Sequence, residues 1–212
     1  MEFSSYLFSV SEYIGIISCS ISGSIIAHKF NFDMFGVMLC GILNALGGGI
    51  LRDILIGSLP PRSFYNYTFL LISVLTSLTV FFIFRIIKNR FTIKQNLLRM
   101  IFMIVDAIGL ASFSMSGVQI AIGAGYSDNI FLCVFLGMTT AIGGGILRDI
   151  ITAQIPIVFR EQIYATASIF GSFIYCLAVT TGADTAASMF LSMLIIIAIR
   201  LLSVRYKWHL PN

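Results

Sequence analysis

The sequence predicts an all-α integral membrane protein with seven transmembrane helices, arranged as two inverted three-helix repeats followed by a seventh helix. Three observations predict it. Of 212 residues, 58% are hydrophobic and only 10% charged, at a mean hydropathy of +0.98, whereas soluble domains carry about 25% charged residues. Apolar runs of the ~20 residues needed to cross a ~30 Å hydrocarbon layer recur along the chain. The octapeptide GGGILRDI stands at Gly47 to Ile54 and again, letter for letter, at Gly143 to Ile150.

The first span runs from about Leu7 to Ala27. It follows MEFSSYLFSV, which has an acid where a secretory signal is basic, and no small-residue cleavage site comes after it, so a retained span is expected. Met34 to Ile56 forms the second span and carries the first GGG with Arg52 and Asp53. Tyr67 to Ile87 is the third and completes repeat one, residues 7–87. A basic linker, 88–100, leads to the fourth span, Ile101 to Gly123. The fifth, Asn129 to Thr152, holds the second GGG, and Tyr164 to Thr181 closes repeat two, 101–181. The seventh span, Ala186 to Val204, within the extra helix at 186–204, has no partner and is a candidate brace for the bundle.

The duplication extends beyond the octapeptide. EYIGIISCSISG (12–23) matches DAIGLASFSMSG (106–117) at an offset of 94, and from Gly41 and Gly137 through Pro60 and Pro156 the offset is 96. A unit of three spans is odd, so its second copy enters the membrane from the opposite side. Such inverted repeats enclose a binding or permeation site near the midplane in many transporters.

Lys and Arg of short loops stay on the cytoplasmic side. With the N-terminus outside and the C-terminus inside, that side receives Lys29, Arg85, Lys88, Arg90, Lys94, Arg99, Arg160, Arg200, Arg205 and Lys207, leaving Arg62 in an external loop. The net charge of +4 then reflects topology. Anionic lipid headgroups at Arg85, Lys88, Arg90, Lys94 and Arg99 are expected partners, and nucleic acid is not.

Three glycines in a span favour a kink or an unwound turn, because Gly costs about 1 kcal/mol relative to Ala in a helix interior. Freed carbonyls at Gly47, Gly48 and Gly49, and at Gly143, Gly144 and Gly145, would face a cavity and serve a small cation. Close helix packing is the other reading of the same glycines. By depth, Glu12 is expected to interact with Arg52 at the outer interface and Asp106 with Arg148 at the inner one, as structural or gating pairs. Asp53 and Asp149 lie about 100° round the helix from the Arg before them, free to face another neighbour or the pore. Each mouth then carries a net charge of minus one, which favours cations. Glu12, Gly15, Ser18 and Ser22 share a ~120° arc, as do Asp106, Gly109, Ser112 and Ser116, and these serines either line water or glue helices.

Cys19, Cys40, Cys133 and Cys176 lie in apolar spans without CxxC spacing or a neighbouring His, which predicts packing rather than metal or disulfide chemistry. His28 and His209 are isolated at span ends, and no nucleophile–base cluster is visible. No enzyme activity and no cofactor are expected.

The doubled GGGxLRD, the seven-span plan and the later Pro156, Phe159-Arg160 and Tyr164-Ala165 resemble the trimeric intracellular cation (TRIC) channel family in its prokaryotic form. They also resemble a related bacterial membrane family named as glycine transporters. The resemblance implies a prokaryotic inner-membrane homotrimer, a path in each protomer, kinked second and fifth helices, and permeant K⁺ or Na⁺, with bound lipid in some members. Two function classes stay open: a monovalent-cation, chiefly potassium, channel, and a secondary transporter for a small neutral solute such as glycine, held between the amide and carbonyl ends of broken helices.

Overall fold

The computed structural model describes residues 2–90, 95–160, 163–206 and 208, with side chains described except at 2–5, 87–90 and 95. Lys94, Lys207 and His209, and the side chains of Lys88 and Arg90, lie outside the described residues.

Among the described residues the secondary structure is helical throughout. In order come α1 (Glu2–Lys29), α2 (Met34–Leu55), a 3-10 turn (Arg62–Phe64), α3 (Tyr67–Arg90), α4 (Gln95–Gly123), α5 (Ile130–Ile151), the one-turn α6 (Ile157–Arg160), α7 (Ala165–Thr180) and α8 (Thr185–Tyr206). Six of these, α1 to α5 and α8, are long and apolar enough to cross a membrane, and α7 is a shorter apolar helix of 16 residues. The chain is an integral membrane protein.

Polar caps set the helix boundaries. The Asp33 carboxylate accepts from the Gly36 amide at 2.8 Å, Asn129 from Leu132 at 3.0 Å, and Asp184 from Ala187 at 2.8 Å. Each satisfies an amide that the helix leaves without an intrahelical partner. The C-termini of α2 and α5 end alike. Gly57 and Ala153 take positive φ (71° and 53°), and Ser58 and Gln154 donate back to the Asp53 and Asp149 carbonyls, both at 2.8 Å. This is a Schellman closure, in which glycine is the usual residue at the left-handed position.

Four helices, α1, α2, α4 and α5, form the centre; α3 packs on α1 and α2, α7 on α4 and α5, and α8 on α4 and α7. The flanking helices turn large apolar side chains outward, among them Leu71, Leu75 and Phe82 on α3 and Phe190, Leu191 and Leu194 on α8. Those faces suit lipid, whereas the central helices bury serines, carboxylates and guanidinium groups.

The two glycine triplets do not unwind their helices. α2 is unbroken from Met34 to Leu55 and α5 from Ile130 to Ile151, so the freed carbonyls expected at 47–49 and 143–145 are engaged in the helix ladders. The cause is tertiary contact: the missing side chains let α2 and α5 meet backbone to backbone, and that packing outweighs the low helix propensity of glycine.

Candidate functional site

The α2–α5 crossing is built on glycine. A Cβ added to Gly48 would strike the Thr140 carbonyl, and one added to Gly144 would strike the Asn44 carbonyl. Gly143 approaches the Gly48 Cα, at 3.2 Å from its own Cβ position. Gly49 and Gly145 are looser, with nothing nearer than 3.6 and 3.7 Å to such a Cβ. The contacts of Gly48 with Thr140 and of Gly144 with Asn44 exchange with each other under the 96-residue offset. Gly15 against Ser112 and Gly109 against Ser18 likewise exchange under the 94-residue offset. Equivalent residues thus meet on antiparallel helices.

On one side of this crossing lies a cluster around Glu12. The Ser116 hydroxyl donates to Glu12 Oε1 at 2.8 Å and accepts from Arg52 Nη1 at 3.3 Å. Glu12 and Arg52 are therefore joined through a serine of α4 rather than by a direct ion pair. Ser116 had been visible only as part of a polar stripe; its 64-residue distance from Arg52 carries no local signal.

Arg52 also binds its own neighbour. Its Nε and Nη2 reach Asp53 Oδ1 at 2.9 and 2.8 Å, and Asp53 Oδ2 accepts the backbone amide of Arg62 at 2.8 Å. The second copy repeats the device: Arg148 Nε donates to Asp149 Oδ1 at 2.8 Å, and Asp149 Oδ2 accepts the Ile157 amide at 2.8 Å. Each Asp thus faces another neighbour, the loop that follows, with one oxygen, and meets the preceding Arg with the other. A 100° step separates the two Cβ directions, but the long arginine stem curls round the helix, and the carboxylate pins the loop that follows. Asp53 is 0% exposed and Asp149 3%.

On the other side, Asp106 Oδ1 meets Arg148 Nη1 at 3.5 Å. Asp106 Oδ2 and Arg148 Nη1 are buried with no hydrogen-bond partner among the described residues. The Phe102 ring lies 5.6 Å from the Arg148 guanidinium carbon. Gly145 opens a gap beside Arg148 Nη2, Asn44 Oδ1 and the Tyr164 hydroxyl, which lie 3.7, 3.7 and 3.9 Å from its Cβ position. Asn44 is fixed by its amide nitrogen, which donates to the Cys19 carbonyl at 2.6 Å and to Ser22 at 2.7 Å.

Arg200 joins the Asp106 end. It is only 5% exposed, donates to the Ile163 carbonyl at 3.2 Å and stacks 4.5 Å from the Tyr164 ring centroid. Read from the sequence as a cytoplasmic-side basic residue, it lies within α8, 15 residues after Thr185, with its side chain packed against the protein. Among the described residues, Glu12 and Asp53 gather around Arg52, and Asp106 and Asp149 around Arg148.

The stripe serines sit at the α1–α4 interface. Ser18 is 7% exposed, Ser22 and Ser112 0% and Ser116 1%. Ser22 donates to the Cys19 carbonyl at 3.2 Å, whereas the Ser112 hydroxyl is buried without a hydrogen-bond partner among the described residues. All four cysteines are free and buried, and no His, Cys, Asp or Glu cluster among the described residues could hold a metal.

Above the Glu12 cluster lies a cavity of about 560 Å³. Ile56, Ile120 and Met189 give it apolar walls, and Arg62, Gln119 and Tyr126 line its polar part.

Comparison with known proteins places this arrangement in a family. A family model described as "Glycine transporter" matches residues 9–85 and 103–180. The UPF0126 inner membrane protein YadS of Escherichia coli K12 is 33% identical over 204 residues, covering 95% of this chain and 93% of that protein. The UPF0126 membrane protein YvgT of Bacillus subtilis is 30% identical over 200 residues, covering 94% and 93%. Among solved structures, a TRIC cation channel studied for its conductance shares 36% identity at a TM-score of 0.83, covering 97% of this chain and 96% of that one. A prokaryotic TRIC channel crystallised in 0.5 M KCl shares 32% at 0.86, covering 97% and 99%. The TRIC orthologue from Rhodobacter sphaeroides shares 23% at 0.85, covering 95% and 98%, a likeness of fold. With the doubled glycine crossing and its pinned Arg–Asp pairs in both halves, the chain belongs to the UPF0126 membrane protein family, whose model carries the description "Glycine transporter", and it has the TRIC channel fold.

Proposed function

We propose that the protein is a homotrimeric channel for monovalent cations, chiefly potassium, with one path through each protomer. The observation that carries this reading is the likeness, at 36% and 32% identity over nearly the whole chain, to two TRIC channels. The path follows the α1–α2–α4–α5 interface from the Glu12 cluster to the Asp106 cluster, past Ser18, Ser22, Ser112 and Ser116. The crossing at Gly47, Gly48, Gly49, Gly143, Gly144 and Gly145 is its narrowest part. Asp53 and Asp149 act through their fixed negative charge, which favours cations at the two approaches.

The exchange of contacts under the two offsets supports an inverted repeat. The basic residues support an outer N-terminus, a cytoplasmic C-terminus and a linker whose Arg85, Lys88, Arg90, Lys94 and Arg99 meet anionic headgroups. A long charge pair at a buried helix interface supports opening: Asp106 Oδ2 and Arg148 Nη1, which lack hydrogen bonds among the described residues, gain them once water enters between the helices.

The second reading is a transporter for glycine, favoured by the family's description. In that reading Asp106 receives the ammonium and Arg148 the carboxylate. We assign no catalysis in either case. Purified protein in a planar bilayer with potassium on both sides is expected to show discrete unitary openings. Electrical silence together with saturable glycine uptake into proteoliposomes would replace the first reading by the second.

A further inference from the structure

The cavity at the Glu12 end is lined by an exposed arginine, Arg62, in a loop that the fold pins through its backbone. Asp53 pins the loop after α2 through the Arg62 backbone amide, and Asp149 pins the loop after α5 through the Ile157 amide, both at 2.8 Å. An isoleucine therefore suffices for the structural task. At the first loop the same task is done by an arginine, which also lines the cavity.

A second donor is held ready beside it. The fully buried Tyr175 donates its hydroxyl to Gln119 Oε1 at 2.7 Å. With its oxygen engaged, the Gln119 amide nitrogen keeps two N–H groups for the cavity that the residue lines. Among the described residues lining the cavity, Arg62 is the one formal charge, and no carboxylate offsets it. The remaining wall is mostly apolar, with Phe8, Ile56, Ile120 and Met189. A space of about 560 Å³ falls within the range of small-molecule sites, in which a few polar groups fix one end of a mainly apolar ligand.

We infer that this chamber is a binding site for a small amphiphilic carboxylate, its head on Arg62 and Gln119 and its tail against Ile56, Ile120 and Met189. Guanidinium is suited to this role because its planar fork matches a carboxylate in geometry and charge. An added ammonium finds no anionic partner in the lining, so a simple acid fits better than the amino acid of the same tail. The inference concerns binding in the chamber and is independent of whether the path conducts.

Titration calorimetry on the detergent-solubilised full-length protein tests it, with chloride balancing ionic strength. Sodium hexanoate is expected to bind saturably, and hexanamide and 2-aminohexanoate more weakly. Arg62→Ala, which keeps the backbone amide on Asp53, is expected to weaken hexanoate about tenfold, the loss of one charge-assisted contact. Gln119→Leu is expected to weaken it by a smaller factor. A parallel arm offers palmitate in nanodiscs: binding of hexanoate identifies a soluble acid as the ligand, and Arg62-dependent binding of palmitate alone identifies a membrane fatty acid. Hexanamide or 2-aminohexanoate binding as well as hexanoate, or an affinity unchanged by Arg62→Ala, would overturn the site.

Discussion

Arg148 is held by two carboxylates that do different work. Asp149 takes the Nε hydrogen bond with one oxygen and pins the Ile157 amide with the other, both at 2.8 Å. Asp106 meets the guanidinium at 3.5 Å through one oxygen, and its other oxygen has no hydrogen-bond partner among the described residues. Asp149→Asn is therefore expected to destabilise the protein by about 3–5 kcal/mol, the usual cost of breaking a buried pair from one side. Asp106→Asn is expected to cost only about 1–2 kcal/mol, since Asp149 still neutralises the guanidinium. Unfolding in SDS titrations checks both, and equal costs would contradict this division of roles. The sequence marked all these charges by their placement in apolar spans. It did not show which oxygen meets which nitrogen, because that depends on how a flexible arginine stem folds back and on a serine 64 positions away. Arg200 was hidden for a different reason: the positive-inside rule accounts for a basic residue near a helix end without asking whether its side chain is buried against the protein.

At the scale of elements, hydropathy was the strong signal: most helices start and stop within three residues of the expected spans, while α1 and α4 begin five and six residues earlier. α2, for instance, runs Met34–Leu55 against an expected Met34 to Ile56. Long apolar runs have one means of satisfying their backbone in lipid, which makes them legible. The one-turn α6 and the 3-10 turn were not legible, since they are pinned by distant aspartates rather than by local pattern. The glycine triplets misled in one respect, because local propensity argues for unwinding whereas the partner helix decides the outcome. That argument makes a graded prediction. Gly48→Ala and Gly144→Ala each drive a methyl into a carbonyl of the opposing helix and are expected to cost about 1–3 kcal/mol. Gly49→Ala meets only Arg52 Nη2 at 3.6 Å and is expected to be neutral or to stabilise α2 by up to about 1 kcal/mol. Thermal melts of the three variants in one detergent measure the order. A Gly49 variant as damaged as the other two would mean that helix bending, and not the crossing, sets the requirement for glycine.

For the whole molecule, the decisive element is α7. Its 16 residues reach about 24 Å at 1.5 Å per residue, short of the ~30 Å hydrocarbon layer. If α7 crosses, the chain makes seven passes and its ends lie on opposite sides; if it dips in and returns, the ends share a side. Charge favours crossing. Arg160 precedes α7, Asp184 follows it, and Arg205 ends α8, so a crossing α7 leaves both arginines on the cytoplasmic side, with the acid opposite. Burial favours it too, because α7 packs on α4, α5 and α8 and buries Ser168, Ser172 and Tyr175. A short helix tolerates mismatch when neighbouring helices rather than lipid cover it, at a modest cost for each ångström. The expected outcome is a C-terminal fluorescent fusion that lights up in the cytoplasm and an N-terminal tag that impermeant reagents reach from outside. A single cysteine placed at Gly182, in the loop after α7, is expected to label from outside as well. Labelling of that cysteine only after the membrane is opened, with both termini on one side, would establish a re-entrant α7 and remove the three-span inverted repeat on which the conduction path is argued.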